Sequence, residues 1–143
     1  MQRNHLIVLA ALAALSHAAM AGTHRTVYPL KPVLDAQPVD AQIAFYFGDA
    51  AHPAVTASHG TGSAGIRVAR KLDDETTSCN KALKEALASL RADAVNHGAN
   101  AVVNIETSFH GTHTVSATEF TCATSYSAAA LRVRGEFVTL EKK

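Results

Sequence analysis

The sequence predicts an α+β domain of two layers, in which one helix packs on a mainly antiparallel sheet in the order β-β-α-β-β-β. A central segment repeats apolar residues at helical spacing, and a glycine followed by an almost wholly apolar stretch comes directly after it. Shorter segments on both sides alternate apolar and polar residues, which is the pattern of half-buried strands. A chain of 143 residues has room for one such domain, which we place at 39–143.

The central helix is predicted to begin near Cys79, with Thr77 and Ser78 as candidate N-caps. Its buried face consists of residues three and four positions apart: Leu83, Ala86, Leu87, Leu90 and Ala94. Gly98 stands where a left-handed residue would end the helix without a steric clash. Residues 99–105 then form a buried strand, because a helix cannot resume so soon after that stop.

Two strands are expected before the helix. Three prolines between residues 22 and 38 disfavour both a helix and a central strand, so this segment is predicted to be an extended leader along the domain. Residues 39–47 form the first strand, since every second residue from Ile43 to Phe47 is large and apolar. Residues 49–65 are small and polar and are expected to form a surface loop, and residues 66–72 form the second strand.

Two further strands are expected after the helix and its buried strand. A turn is predicted at His110–His113, followed by a threonine-rich strand over residues 115–127. The last strand covers residues 128–140, where apolar Leu131, Val133 and Phe137 alternate with charged side chains.

The N-terminus has the pattern of a signal peptide over residues 1–21. Arg3 precedes an apolar run of about ten residues, Leu6–Leu15, which is too short to span a bilayer. Ala19-Met20-Ala21 has the small-x-small form of a cleavage site, so the mature chain is expected to begin at Gly22. The alternative is a retained anchor. Cleavage predicts a periplasmic or secreted protein with no membrane span.

The chain has two cysteines, Cys79 and Cys122, and export would place them in an oxidising compartment. Cys79 lies on the buried side of the predicted helix, and Cys122 shares the inward parity of Phe120 on a later strand. The pattern therefore predicts a Cys79–Cys122 disulfide. Two separate buried thiols are the alternative, and a redox-active pair would more often have the CxxC spacing, which is absent.

Composition excludes some functional classes. A net charge of +1 and a pI near 7.9 argue against a nucleic-acid-binding protein, which would be markedly basic. Charged residues make up 17 % and hydrophobic residues 48 %, so the chain is not intrinsically disordered. No sequence pattern indicates a cofactor, and we expect none.

Three segments carry a resemblance to a known family: Gly98–Ile105 (GANAVVNI) with the helix before it, Phe45–Asp49 (FYFGD) and Ser116–Cys122 (SATEFTC). Over 39–140 the chain resembles small exported bacterial proteins of unknown function, some of which carry the label "excinuclease". The helix and GANAVV are also similar to the YbjQ-type domain, for which heavy-metal binding has been suggested. More loosely, the chain resembles the sensor domain of the Rcs envelope-stress lipoprotein. These resemblances imply a helix-on-sheet fold and do not confer a function.

The excinuclease label does not fit the residues. A DNA-repair ATPase needs a glycine-rich phosphate loop that ends in Gly-Lys-Ser/Thr, and this chain has none. The nearest glycine cluster, His59–Gly65, lacks the lysine and precedes a predicted strand instead of a helix.

A metal site is one hypothesis for function. His110 and His113 are three residues apart in a predicted turn, with Glu106 before them and Glu119 after them. Imidazoles and a carboxylate that converge could hold Zn²⁺ or Cu²⁺. A solvated turn is the alternative, and the motifs shared with the YbjQ-type domain do not include these histidines.

The leading hypothesis is a non-catalytic exported binding or interaction module, acting in envelope homeostasis through a sheet edge or the sheet face opposite the helix. Strand parity predicts that Val102, Asn104, Glu106 and Glu119 share that face, whose partner would be an unknown protein or small molecule, or a second copy. The alternatives are a merely solvated face or one covered by the leader. A third hypothesis is a hydrolase in which Glu106 and Glu119 face one another across adjacent strands.

Overall fold

A computed structural model describes residues 22–39 and 41–142 of the protein. Its strands are β1 (His24–Pro29), β2 (Ala44–Phe47), β3 (Val55–Ala69), β4 (Ala101–Phe109), β5 (Thr112–Thr114), β6 (Glu119–Thr124) and β7 (Ala128–Leu140), and its helices are α1 (Lys31–Asp35) and α2 (Glu75–Asn96). The predicted signal peptide, residues 1–21, lies outside the described residues.

The predicted α+β class, with one main helix on a mainly antiparallel sheet, is confirmed. The seven strands form one sheet, in which the pairing of β2 with β4 is parallel and the other pairings are antiparallel. The predicted order of elements does not match, because β1 and α1 come first and two strands, β5 and β6, replace the single strand expected between β4 and β7.

The last strand, β7, organises the sheet. It pairs with β3 along 13 residues, from Ala128 to Leu140. Its other edge is shared by β4, which pairs with residues 132–138, and by β6, which pairs with Ala129 and Ala130. β1 then pairs with β6, β2 with the start of β4, and β5 with the end of β4.

The helix α2 lies on one face of this sheet and buries its apolar side there. Its buried residues are Ser78, Cys79, Ala82, Leu83, Ala86, Leu87, Leu90 and Ala94. The side chain of Asp74, and not Thr77 or Ser78, caps the helix, because Asp74 Oδ1 accepts a hydrogen bond from the Thr77 N–H at 2.7 Å. That hydrogen bond also lowers the pKa of the Asp74 carboxyl. At the other end Gly98 has a φ of +75°, as its predicted role as the helix stop requires.

Close packing between the strands beneath α2 depends on two paired glycines, Gly62 of β3 and Gly135 of β7. A Cβ on Gly135 would lie 2.5 Å from Val102 Cγ1, and a Cβ on Gly62 would overlap the ring of Phe137. The absence of these two side chains lets the larger residues fill the space under the helix.

Two segments differ from their predicted form. Residues 49–65, expected to be a loop, contain most of β3, because β7 offers it a continuous set of backbone hydrogen-bond partners. Residues 22–38, expected to be an extended leader, form edge strand β1 and the short helix α1. Pro32 is compatible with α1 because it lies in the first turn, where a helix has no use for its missing N–H.

No helix in the described part of the chain has the length and apolar character needed to cross a membrane.

The predicted disulfide is present and joins the two layers. Cys79 in the second turn of α2 and Cys122 in β6 are bonded, both side chains are buried, and no cysteine is free. The two cysteines are 43 positions apart in sequence, so the bond closes a long loop in the unfolded chain.

Replacing both cysteines, Cys79→Ala with Cys122→Ala, should lower the free energy of unfolding by about 4 kcal/mol, the chain-entropy value for a loop of this length. The free energy is measured by urea unfolding of the variant beside the oxidised wild type. Wild type in reductant should unfold at a similarly lowered urea concentration. Two thiols that react in unfolded, unreduced wild-type protein would contradict the bond.

Candidate functional site

The candidate site lies on the sheet face that points away from α2, which we call the outer face. On the central strands it carries Arg67 of β3, Arg132 and Arg134 of β7, and Glu106 and Ser108 of β4. Their neighbours in sequence, such as Val68 and Val133, are buried in the core beneath α2, and successive residues of a strand point to opposite faces. Arginine is therefore the main side chain of the outer face at the middle of the sheet.

A groove of about 600 Å³ opens on the outer face between β3, β7 and the turn that joins β4 to β5. It is lined by Gly65, Ile66, Arg67, Ser108, Phe109, His110, Gly111, His113, Ala130, Leu131 and Arg132. This lining contains two arginines and two histidines but no acidic residue.

The register of the strands sets the positions of the two groove arginines. Arg132 is paired with Gly65, and its guanidinium lies over that glycine, where Nη2 would be 3.4 Å from an added Cβ. Its Nη1 donates a hydrogen bond to Ser63 Oγ at 3.4 Å. Arg67 is exposed and paired with Ala130, two residues from Arg132 along β7. Within residues 22–39 and 41–142, neither guanidinium has a carboxylate within ion-pair distance.

The turn between β4 and β5 forms the opposite wall of the groove. His110 has a φ of +43° and the next residue, Gly111, a φ of +79°, so the chain reverses tightly there. The rings of Phe109 and His110 meet edge to face, with their centroids 4.2 Å apart. His113 is paired with Ser108 on β4. Phe109 thus adds an apolar surface to a wall that otherwise consists of polar side chains and glycine.

The structure does not assemble the predicted metal ligands. His113 Nδ1 lies 3.9 Å from Glu106 Oε1, so one of the histidines has a carboxylate near it. Glu119 is on β6, where it is paired with Pro29 of β1. Among the described residues, no three His, Cys, Asp or Glu side chains are grouped closely enough to hold a metal ion.

The structure divides the residues of the predicted interaction face between the outer face and the core. Asn104 is exposed and donates a hydrogen bond to Glu136 Oε1 at 3.2 Å, and Glu106 is half-buried on the outer face. Val102 is wrongly placed, because it is fully buried in the core beneath α2. The cause is a bulge in β4: Asn104 has a φ of +51° and the pairing register shifts between Val103 and Glu106, which inverts the parity.

The carboxylate pair expected for a hydrolase is also wrong. Glu106 is paired with Arg134 of β7, and Glu119 with Pro29 of β1. Since β4 and β6 are not neighbouring strands in the sheet order, the two carboxylates do not face one another across adjacent strands.

The structure places a carboxylate and a hydroxyl beside one imidazole: Glu106 and Ser108 are the neighbours of His113. The 3.9 Å between His113 Nδ1 and Glu106 Oε1 is longer than a hydrogen bond, and the described residues include no hydrogen bond between His113 and Ser108. This arrangement does not prepare the serine hydroxyl for nucleophilic attack.

The groove arginines are the residues that the sequence-based prediction of the site missed. The signal for them is in the chain, because Arg67, Arg132 and Arg134 alternate with residues predicted to be buried. The sequence does not reveal that β3 and β7 are direct neighbours, and this pairing is what places Arg67 and Arg132 in the lining of one groove.

No family model, no curated protein and no solved structure matches this chain.

The histidines of the turn give a test of the metal hypothesis. Wild-type protein should bind Zn²⁺ with a dissociation constant weaker than about 1 µM, or roughly 8 kcal/mol, because a structural zinc site needs four converging ligands. The double variant, His110→Ala with His113→Ala, should have nearly the same dissociation constant for Zn²⁺ as the wild type, as measured by calorimetry. Submicromolar affinity that the double variant loses would establish the metal site.

Proposed function

We propose that the protein is an exported, non-catalytic interaction module that associates with a second copy of itself through the free edge of β3. The observation that carries this proposal is a long and unprotected edge strand. A role in envelope homeostasis is supported by the family resemblance alone.

Two features support export. The apolar run Leu6–Leu15 and the small-x-small motif at residues 19–21 have the pattern of a cleaved signal peptide. The buried bond between Cys79 and Cys122 belongs to proteins of oxidising compartments, since cytosolic thiols are kept reduced.

The edge of β3 supports association. β3 has 15 residues and, among the described strands, pairs with β7 alone. From Thr61 to Ala69 its register to β7 is regular, which corresponds to about 30 Å of strand. On the side away from β7, no backbone hydrogen bond joins Thr61–Ala69 to another described segment. These groups are free to pair with another strand.

Proteins usually protect such edges with charges, prolines, bulges or short strands. β3 has register shifts near Val55 and between Ser58 and Thr61, which protect its first half. The regular half has neither a bulge nor a proline, and Arg67 is its one charged residue. Small side chains along it, including Gly62 and Gly65, would let a second backbone approach closely.

A two-fold axis through Gly65 would pair the regular half with itself in antiparallel orientation. Ser63 would then lie opposite Arg67 of the second copy, and Thr61 opposite Ala69, so that no like charges meet. An axis of this kind makes the interface self-complementary and gives one continuous sheet with both α2 helices on the same side.

This register can be tested with a charge at Ser63. Ser63→Lys should weaken self-association by up to about tenfold, because a lysine would face Arg67 twice in the dimer and directly opposed like charges destabilise strand pairs. Ser63→Glu should strengthen it. Sedimentation equilibrium of both variants measures the dimer dissociation constant.

The matched control for this experiment is Thr56→Lys, which adds the same charge to the bulged half of β3, outside the proposed pairing. It should leave the dissociation constant unchanged. Wild-type protein that stays monomeric at several hundred micromolar, or equal effects of the two lysine variants, would refute pairing through this edge.

Export predicts the N-terminus of the mature protein. Protein recovered from its native compartment should begin at Gly22 or within a residue or two of it, as read by N-terminal sequencing. Intact Met1 in a membrane fraction would show that the apolar run is an anchor.

A further inference from the structure

The outer-face groove has basic but no acidic side chains among its described lining residues, although the net charge of the whole chain is only +1. Arg67 and Arg132 approach from β3 and β7, and His110 and His113 from the β4–β5 turn. No acidic side chain of residues 22–39 or 41–142 lines the groove. Glu106, the nearest carboxylate to this wall, lies beside His113 and opposite Arg134, in a neighbouring depression.

No carboxylate of the described residues forms an ion pair with the groove arginines. The ion pairs in the described part of the chain are Lys31–Asp35, Arg70–Glu75 and the contact of His113 with Glu106. Arg132 has a neutral partner, Ser63 Oγ, at the long distance of 3.4 Å. Each guanidinium therefore has most of its five N–H donors directed to solvent.

Other groups beside the arginines can recognise an anion. Ser108, opposite both Arg132 and His113, offers a hydroxyl, and the two imidazoles offer ring N–H groups. The half-buried ring of Phe109 adds an apolar surface at the same wall. At about 600 Å³ the groove is larger than one small oxyanion, so it has room for an organic group as well.

We propose that this groove binds an organic phosphate, with the phosphate between Arg67 and Arg132 and the organic part against Phe109. The planar guanidinium fork matches two oxygens of a phosphate, and charge-assisted hydrogen bonds of this kind are about twice as strong as neutral ones. The site is separate from the backbone edge of β3 and does not depend on self-association.

Two probes carry an organic phosphate: glycerol 3-phosphate carries it in solution, and vesicles of phosphatidylglycerol carry it in a lipid headgroup. Binding of the soluble ester is measured by calorimetry at 150 mM salt, and binding of vesicles by cosedimentation beside phosphatidylcholine vesicles. Saturable binding of either phosphate probe supports the site. Binding of the soluble ester would assign the source to a free metabolite-like phosphate, and binding of phosphatidylglycerol vesicles alone would assign it to a lipid headgroup.

Each of two substitutions, Arg67→Gln and Arg132→Gln, should weaken the binding of whichever phosphate probe binds the wild type. The expected loss of affinity is about tenfold, which corresponds to roughly 1.4 kcal/mol. The matched control is Arg134→Gln, which removes the same charge from the same face outside the groove lining. It should change the affinity less than twofold. All three side chains are exposed, so the variants should fold.

Backbone amide shifts in NMR spectra give an independent readout. The phosphate probe should shift the amides of Ser108 and Gly111 in the groove wall and leave those of α2 unchanged. Absence of binding by both probes would overturn the proposal. An equal loss in Arg134→Gln would also overturn it, because the attraction would then be general and not a property of the groove.

Discussion

The packing of α2 against one face of the sheet is the interaction on which the rest of the structure depends. The helix has 22 residues, so it is about 33 Å long, and its three buried leucines each contribute roughly 1.5–3 kcal/mol. The disulfide between Cys79 and Cys122 fixes the N-terminal part of the helix to β6. The paired glycines Gly62 and Gly135 let the strands beneath it pack closely. One long helix covers one face, and no helix of the described residues covers the opposite face.

The arginine groove and the edge of β3 both result from the packing of α2 on one face of the sheet. The central strands β3 and β7 place their apolar residues under α2, so the residues between them, including the arginines, point outward. A small outer cluster of Ala101, Val103, Val138 and Leu140 with Tyr46 closes one end of the outer face. The other end stays open as the arginine groove. Because β7 uses its second edge for β4 and β6, β3 is a terminal strand among the strands of residues 22–39 and 41–142, and β7 is the one described strand that pairs with it.

Local patterns in the sequence predicted the parts of the fold that depend on local interactions. The helical periodicity, the Gly98 stop, the strand from Ala128 to Leu140 and the inward parity of Cys122 are all present in the structure. β3 could not be predicted in the same way, because its small polar residues carry no hydrophobic signal and its pairing with β7 is non-local. The side of Val102 could not be predicted either, since the bulge at Asn104 inverts strand parity without a glycine to mark it.

The candidate site, like β3, could not be predicted from local sequence patterns. Histidines and carboxylates close in sequence, such as His110 and His113, suggested a metal site, yet no three potential ligands come together in the part of the chain that the structure describes. Arg67 and Arg132 are 65 positions apart and become neighbours through the pairing of β3 with β7. A site made by strand register alone leaves no compact motif in the sequence.

The central claim is that β3 presents a free edge that pairs with a second copy. Hydrogen–deuterium exchange of the amides from Thr61 to Ala69, measured in dilute and in concentrated protein, tests it most directly. In dilute protein every second amide, the set directed toward β7, should be protected and the other set should exchange fast. Raising the concentration should slow the second set while the amides of β7 stay unchanged. Equal protection of both sets in the dilute monomer would contradict a free edge, and no dependence on concentration would contradict pairing.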